Sequence, residues 1–156
     1  TIEYLRDTKQ VHQLLYAYSP DVVSDTMEYL DRYPGDEYVD IMGLDDYRDL
    51  GVNADHSMLA KRLEMLVVLA EGHGKIAALT ETGQERIPEK NFWTETLLAQ
   101  LLSNEKTKRI AYVMVWRNAR PSHHYGPVKG HPSAENFKTF ADNDIIWLLK
   151  DLPKWQ

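Results

Sequence analysis

Four short apolar runs, each followed by a turn and then by a stretch of helical periodicity, constrain this chain more than any other feature. They are Leu14–Tyr18, Tyr38–Leu44, Lys75–Thr80 and Ile110–Trp116, and their first residues lie 24, 37 and 35 positions apart. Spacings of that size suit successive strand–helix units. The runs are almost continuously apolar rather than alternating, the pattern of parallel strands covered on both faces. The order (α)-β-α-β-α-β-α-β-α therefore predicts an α/β fold around a parallel sheet. A complete doubly wound sheet of flavodoxin type and half of a (β/α)8 barrel both fit this length. No Gly-rich phosphate loop follows the first run, whereas polar residues end every run, and barrel active sites are built at strand ends. The half-barrel is the better fit.

The intervening helices carry start signals. Ser19-Pro20-Asp21 offers an N-cap, a proline for the first helical position and an acid in the first turn. Asp55 is placed to cap Met58–His73, whose Leu59, Leu63, Leu66 and Leu69 or Ala70 form one apolar stripe ahead of Gly72 and Gly74. Asn91 and Ser133 are placed to cap Phe92–Leu102 and Ala134–Leu152. Thr1–His12 has Ile2, Leu5 and Val11 at helical spacing with no capping residue ahead, the reading expected of a chain cut from something longer. A single domain, residues 1–156, is expected to be the C-terminal half of one barrel, with the N-terminal half outside the chain.

Composition narrows the function classes. A net charge of −6, with acids and bases interspersed, gives no basic stripe for a nucleic acid. The longest apolar run, Met65–Ala70, is far shorter than the roughly 18–20 residues of a membrane span. With no cysteine, disulfide and thiol chemistry are excluded.

Chemistry is then sought at the strand ends: Tyr18 and Ser19; Asp45, Asp46 and Tyr47; Thr80, Glu81 and Thr82; Trp116, Arg117 and Asn118. Glu81 follows a fully apolar strand and precedes Gly83. It is either a capping carboxylate at a loop entrance or a glycosidase nucleophile projecting into a sugar cleft. The second role needs another carboxyl about 5–5.5 Å away for retention, or about 6.5–9.5 Å for inversion. Tyr47 is positioned to donate its hydroxyl to Glu81, holding it ionised and oriented. Asp45 and Asp46 are either turn-formers or supporting acids, and no ligand-loop spacing around them supports a metal. Trp116 offers a face on which a pyranose stacks, or else a core indole, and Arg117 offers rigid donors to hydroxyls. Trp93, Trp147 and Trp155 lie in helical segments and are expected to take core or helix-packing roles. His123, His124 and His131 share the loop Asn118–Pro132 without the spacing of a zinc motif.

Taken together, Tyr33-Pro34-Gly35-Asp36-Glu37-Tyr38-Val39-Asp40-Ile41-Met42-Gly43, Leu44-Asp45-Asp46-Tyr47, Ala78-Leu79-Thr80-Glu81-Thr82-Gly83 and Val115-Trp116-Arg117-Asn118-Ala119 resemble the C-terminal half of glycoside hydrolase family 26, the family of bacterial endo-β-1,4-mannanases. The resemblance runs the length of the chain. It implies strands five to eight of a retaining (β/α)8 TIM barrel, with Glu81 as nucleophile, Tyr47 contacting it, Asp45 in support, and Trp116 and Arg117 binding sugar. It implies no cofactor and no metal, β-mannan or manno-oligosaccharide as substrate, and a secreted, periplasmic or cell-surface location for the intact enzyme. The family's His-Glu acid/base motif is not found here, since His12 is followed by Gln13 and His73 by Gly74. The expected partner is therefore the N-terminal half of the same barrel, or a second copy. Mixed-linkage glucan or β-1,3-xylan as substrate, and a non-catalytic carbohydrate-binding half-barrel, are the alternatives.

Overall fold

The computed structural model describes residues 1–154. Four parallel strands, β1 (Ala17–Tyr18), β2 (Ile41–Asp46), β3 (Ile76–Thr82) and β4 (Val113–Val115), form one sheet in the order β1-β2-β3-β4. Between them lie α1 (Thr26–Leu30), α2 (Ser57–Gly72), and a π-helical segment, Phe92–Leu98, that runs into the single turn α3 (Ala99–Leu101). A further helix, α4 (Ala134–Ala141), follows β4.

The helices pack against one side of the sheet. Met42 and Leu44 of β2, and Ala77 and Leu79 of β3, join Leu59, Leu63, Leu66 and Ala70 of α2 in the core. Trp93 extends that core, its ring 4.8 Å from Phe137 and 5.1 Å from Phe92. Among the described residues, the other side of the sheet carries no helix. There Ile76, Tyr112 and Met114 are 48%, 42% and 37% exposed. Parallel sheets are ordinarily covered on both faces, and this one is covered on one face only among the described residues.

β3 is the strand on which the site depends. Gly43 pairs with Ala78 and Asp45 with Glu81, so two steps along β2 match three along β3. The same extra residue recurs against β4, where Leu79 pairs with Val113 and Thr82 with Val115. Because side chains alternate along a strand, such a bulge re-aims whatever follows it. Here it puts Thr80 and Glu81 on the helix-free face and returns Thr82 to the helix side opposite Asp46.

Several expected boundaries shift. β1 is two residues long, and Leu14 and Leu15 are exposed, because the ladder starts only where the Tyr16 carbonyl accepts from the Asp40 and Ile41 amides, 2.8 and 3.1 Å. Ser19 caps no helix. Its hydroxyl bonds Thr80 Oγ1, the Pro20 carbonyl accepts from Asp45 N at 2.9 Å, and α1 starts later with Asp25 accepting from Glu28 N at 2.9 Å. Asn91 and Ser133 begin their helices without a side-chain cap. The Ser133 hydroxyl is engaged instead by Trp93 Nε1 at 3.3 Å and His131 Nδ1 at 3.0 Å. α4 stops at Ala141 rather than Leu152; beyond it Asn143 N donates to the Phe140 carbonyl at 3.2 Å and the Asn143 side chain accepts from Ile145 N at 3.2 Å. Trp147 is 64% exposed rather than packed in the core, and Trp155 lies outside the described residues.

Candidate active site

Glu81 sits at the C-terminal end of β3, half-buried, with Asp45 beside it in register on β2. Directly after β2, Tyr47 donates its hydroxyl to Glu81 Oε1 at 2.9 Å. Glu81 Oε2 accepts no hydrogen bond among the described residues. Burial, then the hydrogen bond and charge of Glu81, raise the Tyr47 hydroxyl well above its usual range, so it stays neutral and able to donate.

Asp45 differs in surroundings. Burial, with the negative charges of Glu81 and Asp21 close by, pushes its carboxyl up to about 6. Its Oδ1 is buried with no hydrogen-bond partner among the described residues. The charge of Glu81 is thus one of the causes that disfavour ionisation of Asp45. Asp46 faces the opposite way. It accepts from Asp49 N at 2.9 Å as a turn-former, and burial raises its carboxyl.

The turn that carries Tyr47 is anchored from below. Asp49 pairs with Arg62 of α2 at 2.7 Å, both nearly buried, and Arg62 also bonds the Val23 carbonyl. Thr80 and Thr82 tie β3 to β2 through the Leu44 and Asp46 carbonyls, at 3.0 and 2.6 Å. Gly43 is required by this packing, since a Cβ there would meet Thr80 Oγ1 and Cγ2 at 2.5 Å.

Trp116 is half-buried at the end of β4, its amide donating to the Thr82 carbonyl at 3.0 Å, and Arg117 lies over its ring at 5.8 Å. Glu81, Tyr47 and Asp45 are brought into direct contact or register; Trp116 and Arg117 border them from the neighbouring strand. Among the described residues, no group of three or more His, Cys, Asp or Glu side chains converges as for a metal ion. The loop histidines are instead bonded separately: His123 to Glu85 at 2.8 Å, His124 to the Pro121 carbonyl at 2.9 Å, and His131 to Ser133.

Sequence reasoning missed Tyr125. Its ring packs 5.5 Å from that of Tyr47 and is nearly buried, although it belongs to a loop rich in Gly, Pro and His. The available signal was Asn118, whose side chain closes the loop by accepting from Tyr125 N and Gly126 N at 2.9 and 2.8 Å.

The sequence profile of Glycosyl hydrolase family 26 matches residues 1–124. The chain belongs to that family. Among family 26 structures, the β-mannanase BoMan26A of Bacteroides ovatus is 40% identical, with a TM-score of 0.85 over 96% of this chain and 43% of that one. GH26C of a Muricauda species gives a TM-score of 0.87 at 36% identity, over 97% of this chain and 42% of that one. A protein of Bifidobacterium adolescentis named mannan endo-1,4-beta-mannosidase is 38% identical over 92% of this chain, which corresponds to 16% of its own length. This family 26 chain thus spans less than half the length of these relatives.

Proposed function

We propose that this chain supplies the nucleophile half of a retaining endo-β-1,4-mannanase, acting on mannan, galactomannan or glucomannan. The carrying observation is the Tyr47–Glu81 hydrogen bond of 2.9 Å at the strand ends of an unclosed barrel in a family 26 chain. Glu81 Oε2 attacks the anomeric carbon as the glycosidic bond breaks, giving a glycosyl-enzyme intermediate. Tyr47 holds the other oxygen, fixing the carboxylate plane before attack. Asp45 sits beside the attack site, in register with Glu81 on the neighbouring strand. Trp116 presents an apolar face to a sugar ring and Arg117 its fork of donors.

The general acid that protonates the leaving oxygen, and later activates water, belongs to the strands that close the barrel. These four strands are five to eight of eight, and the partner that covers their bare face is the other half of the same barrel. The exposed Ile76, Tyr112 and Met114 support that reading, because a bare apolar sheet face needs cover. The substrate is a polymer, which places the intact enzyme outside the cytoplasm.

The test is hydrolysis by the completed barrel, followed as reducing ends released from mannan, mixed-linkage glucan and β-1,3-xylan. Preference for mannan, with Glu81→Ala lowering kcat by about three orders of magnitude or more, is the expected result. Undiminished turnover by Glu81→Ala contradicts the nucleophile assignment. Preference for glucan or xylan contradicts the substrate, and binding without turnover by the wild type contradicts the enzyme reading.

A further inference from the structure

We propose that Tyr125 is a positioning residue for catalysis, acting on Glu81 through Tyr47; the proposal rests on the nucleophile reading above. Tyr47 is held at its hydroxyl by Glu81, but a phenol ring hinged at Cβ swings unless its sides are packed. One of those sides is Tyr125. The two rings meet edge to face, with centroids 5.5 Å apart and planes at 64°. Edge-to-face pairs at this separation are directional, so the contact restricts the tilt of the Tyr47 ring as well as filling space.

Tyr125 is itself fixed from three directions. Asn118 Oδ1 accepts from Tyr125 N and Gly126 N, and Asn118 Nδ2 donates to the Gly126 carbonyl at 2.9 Å. The His123 ring also stands edge to face with it at 5.4 Å, tethered through Nδ1 to Glu85 at 2.8 Å. Beneath it lies Gly83, two residues after Glu81. A Cβ on Gly83 would come within 2.8 Å of Tyr125 Cδ1, and φ there is +134°. A loop that follows β4 therefore reaches back over the residues following β3 and clamps the side chain that aims the nucleophile. No other residue of that loop makes a ring contact with Tyr47 among the described residues.

The position of Tyr125 is consistent with this role: burial, then the charges of Glu85 and Glu81, raise its hydroxyl above the usual range. Its contact with Tyr47 is made by the ring, so the ring and not the hydroxyl is the working part.

A double-mutant cycle on the completed barrel tests the proposal, with an aryl β-mannobioside as substrate. Tyr125→Ala is expected to lower kcat by about 3- to 10-fold while KM changes less than about 2-fold. In a Tyr47→Phe background, where no hydroxyl reaches Glu81, the same substitution is expected to cost nothing further. Tyr125→Phe is expected to recover most of the loss. Equal losses in both backgrounds, or a loss carried by KM alone, overturn the proposal. If Tyr125→Ala does not fold, Asn118→Ala releases the clamp from an exposed position, and an unchanged kcat there overturns it equally. Glu81→Ala is run alongside. Full turnover by that variant defeats the nucleophile reading, whereas an inactive Glu81→Ala with additive Tyr125 effects defeats this proposal alone.

Discussion

Asp45 and Glu81 stand side by side on adjacent strands although β3 spends one more residue than β2 to reach that level. Without the extra residue, strict alternation would turn the Glu81 side chain toward the helices, where Thr82 now lies opposite Asp46. The bulge therefore delivers a carboxylate to the helix-free face, and Tyr47 meets it there.

The Tyr47 hydroxyl is expected to act in the transition state more than in binding. Tyr47→Phe removes one donor to Glu81 Oε1 and keeps the ring. A fall in kcat of about 10- to 100-fold with little change in KM for mannan is the expected outcome of steady-state kinetics. A rise in KM at unchanged kcat would move Tyr47 from the nucleophile to substrate contact.

Arg62 is expected to be the most sensitive charged residue for stability. It is paired with Asp49 at 2.7 Å, both nearly buried, and bonds the Val23 carbonyl. Arg62→Leu leaves Asp49 buried without its main partner, a change that costs about 3–5 kcal/mol. Urea unfolding of the completed barrel measures it, and a loss under about 1 kcal/mol would show that Asp49 finds other solvation.

The stability contributed by Asp45 and Asp46 is expected to be lost as pH rises through about 6. Burial raises the carboxyls of both Asp45 and Asp46, to about 6 in each case. A folded value above the unfolded one means the native state binds more protons in that window, so unfolding free energy decreases with rising pH until both groups are ionised. Asp46→Asn keeps an acceptor for Asp49 N and removes one of the two titrations. Thermal melts across pH 4–7 should therefore show a shallower decline for the variant, and an identical decline would assign the effect elsewhere.

Gly43 is expected to tolerate no side chain. Its Cβ would lie 2.5 Å from Thr80, the residue before Glu81. Gly43→Ala should destabilise the fold by about 1–3 kcal/mol, by forcing β2 and Thr80 apart. Chemical denaturation reads that cost, and mannan hydrolysis should fall with it, because Thr80 shares the bulge with Glu81.

The parallel α/β order was legible because four apolar runs are a strong, local signal, and so was α2, whose leucine stripe is long. The Glu81–Tyr47 pairing was legible for a similar reason: both follow apolar strands directly. What was not legible depends on contacts across the chain. Ser19-Pro20-Asp21 carries a helix-start pattern, yet its Ser bonds Thr80 and its Pro carbonyl pairs with Asp45, so the segment extends the sheet edge. The early end of α4 is followed by local bonds at Asn143, which helical periodicity does not announce. The bulge in β3 leaves no mark in composition, since Leu79-Thr80-Glu81 reads as ordinary strand. Tyr125 was hidden because loop aromatics are usually solvated, and only the Asn118 clamp shows that this one is not.

The most direct test of the account is covalent trapping in the completed barrel. A 2-deoxy-2-fluoro-β-mannoside with a dinitrophenolate leaving group needs no general acid to react, and the fluorine slows hydrolysis of the intermediate. Digestion and tandem mass spectrometry then locate the labelled residue. One fluoromannosyl group esterified to Glu81 is the expected result. A label on another carboxylate, or none while the enzyme turns over mannan, would contradict it.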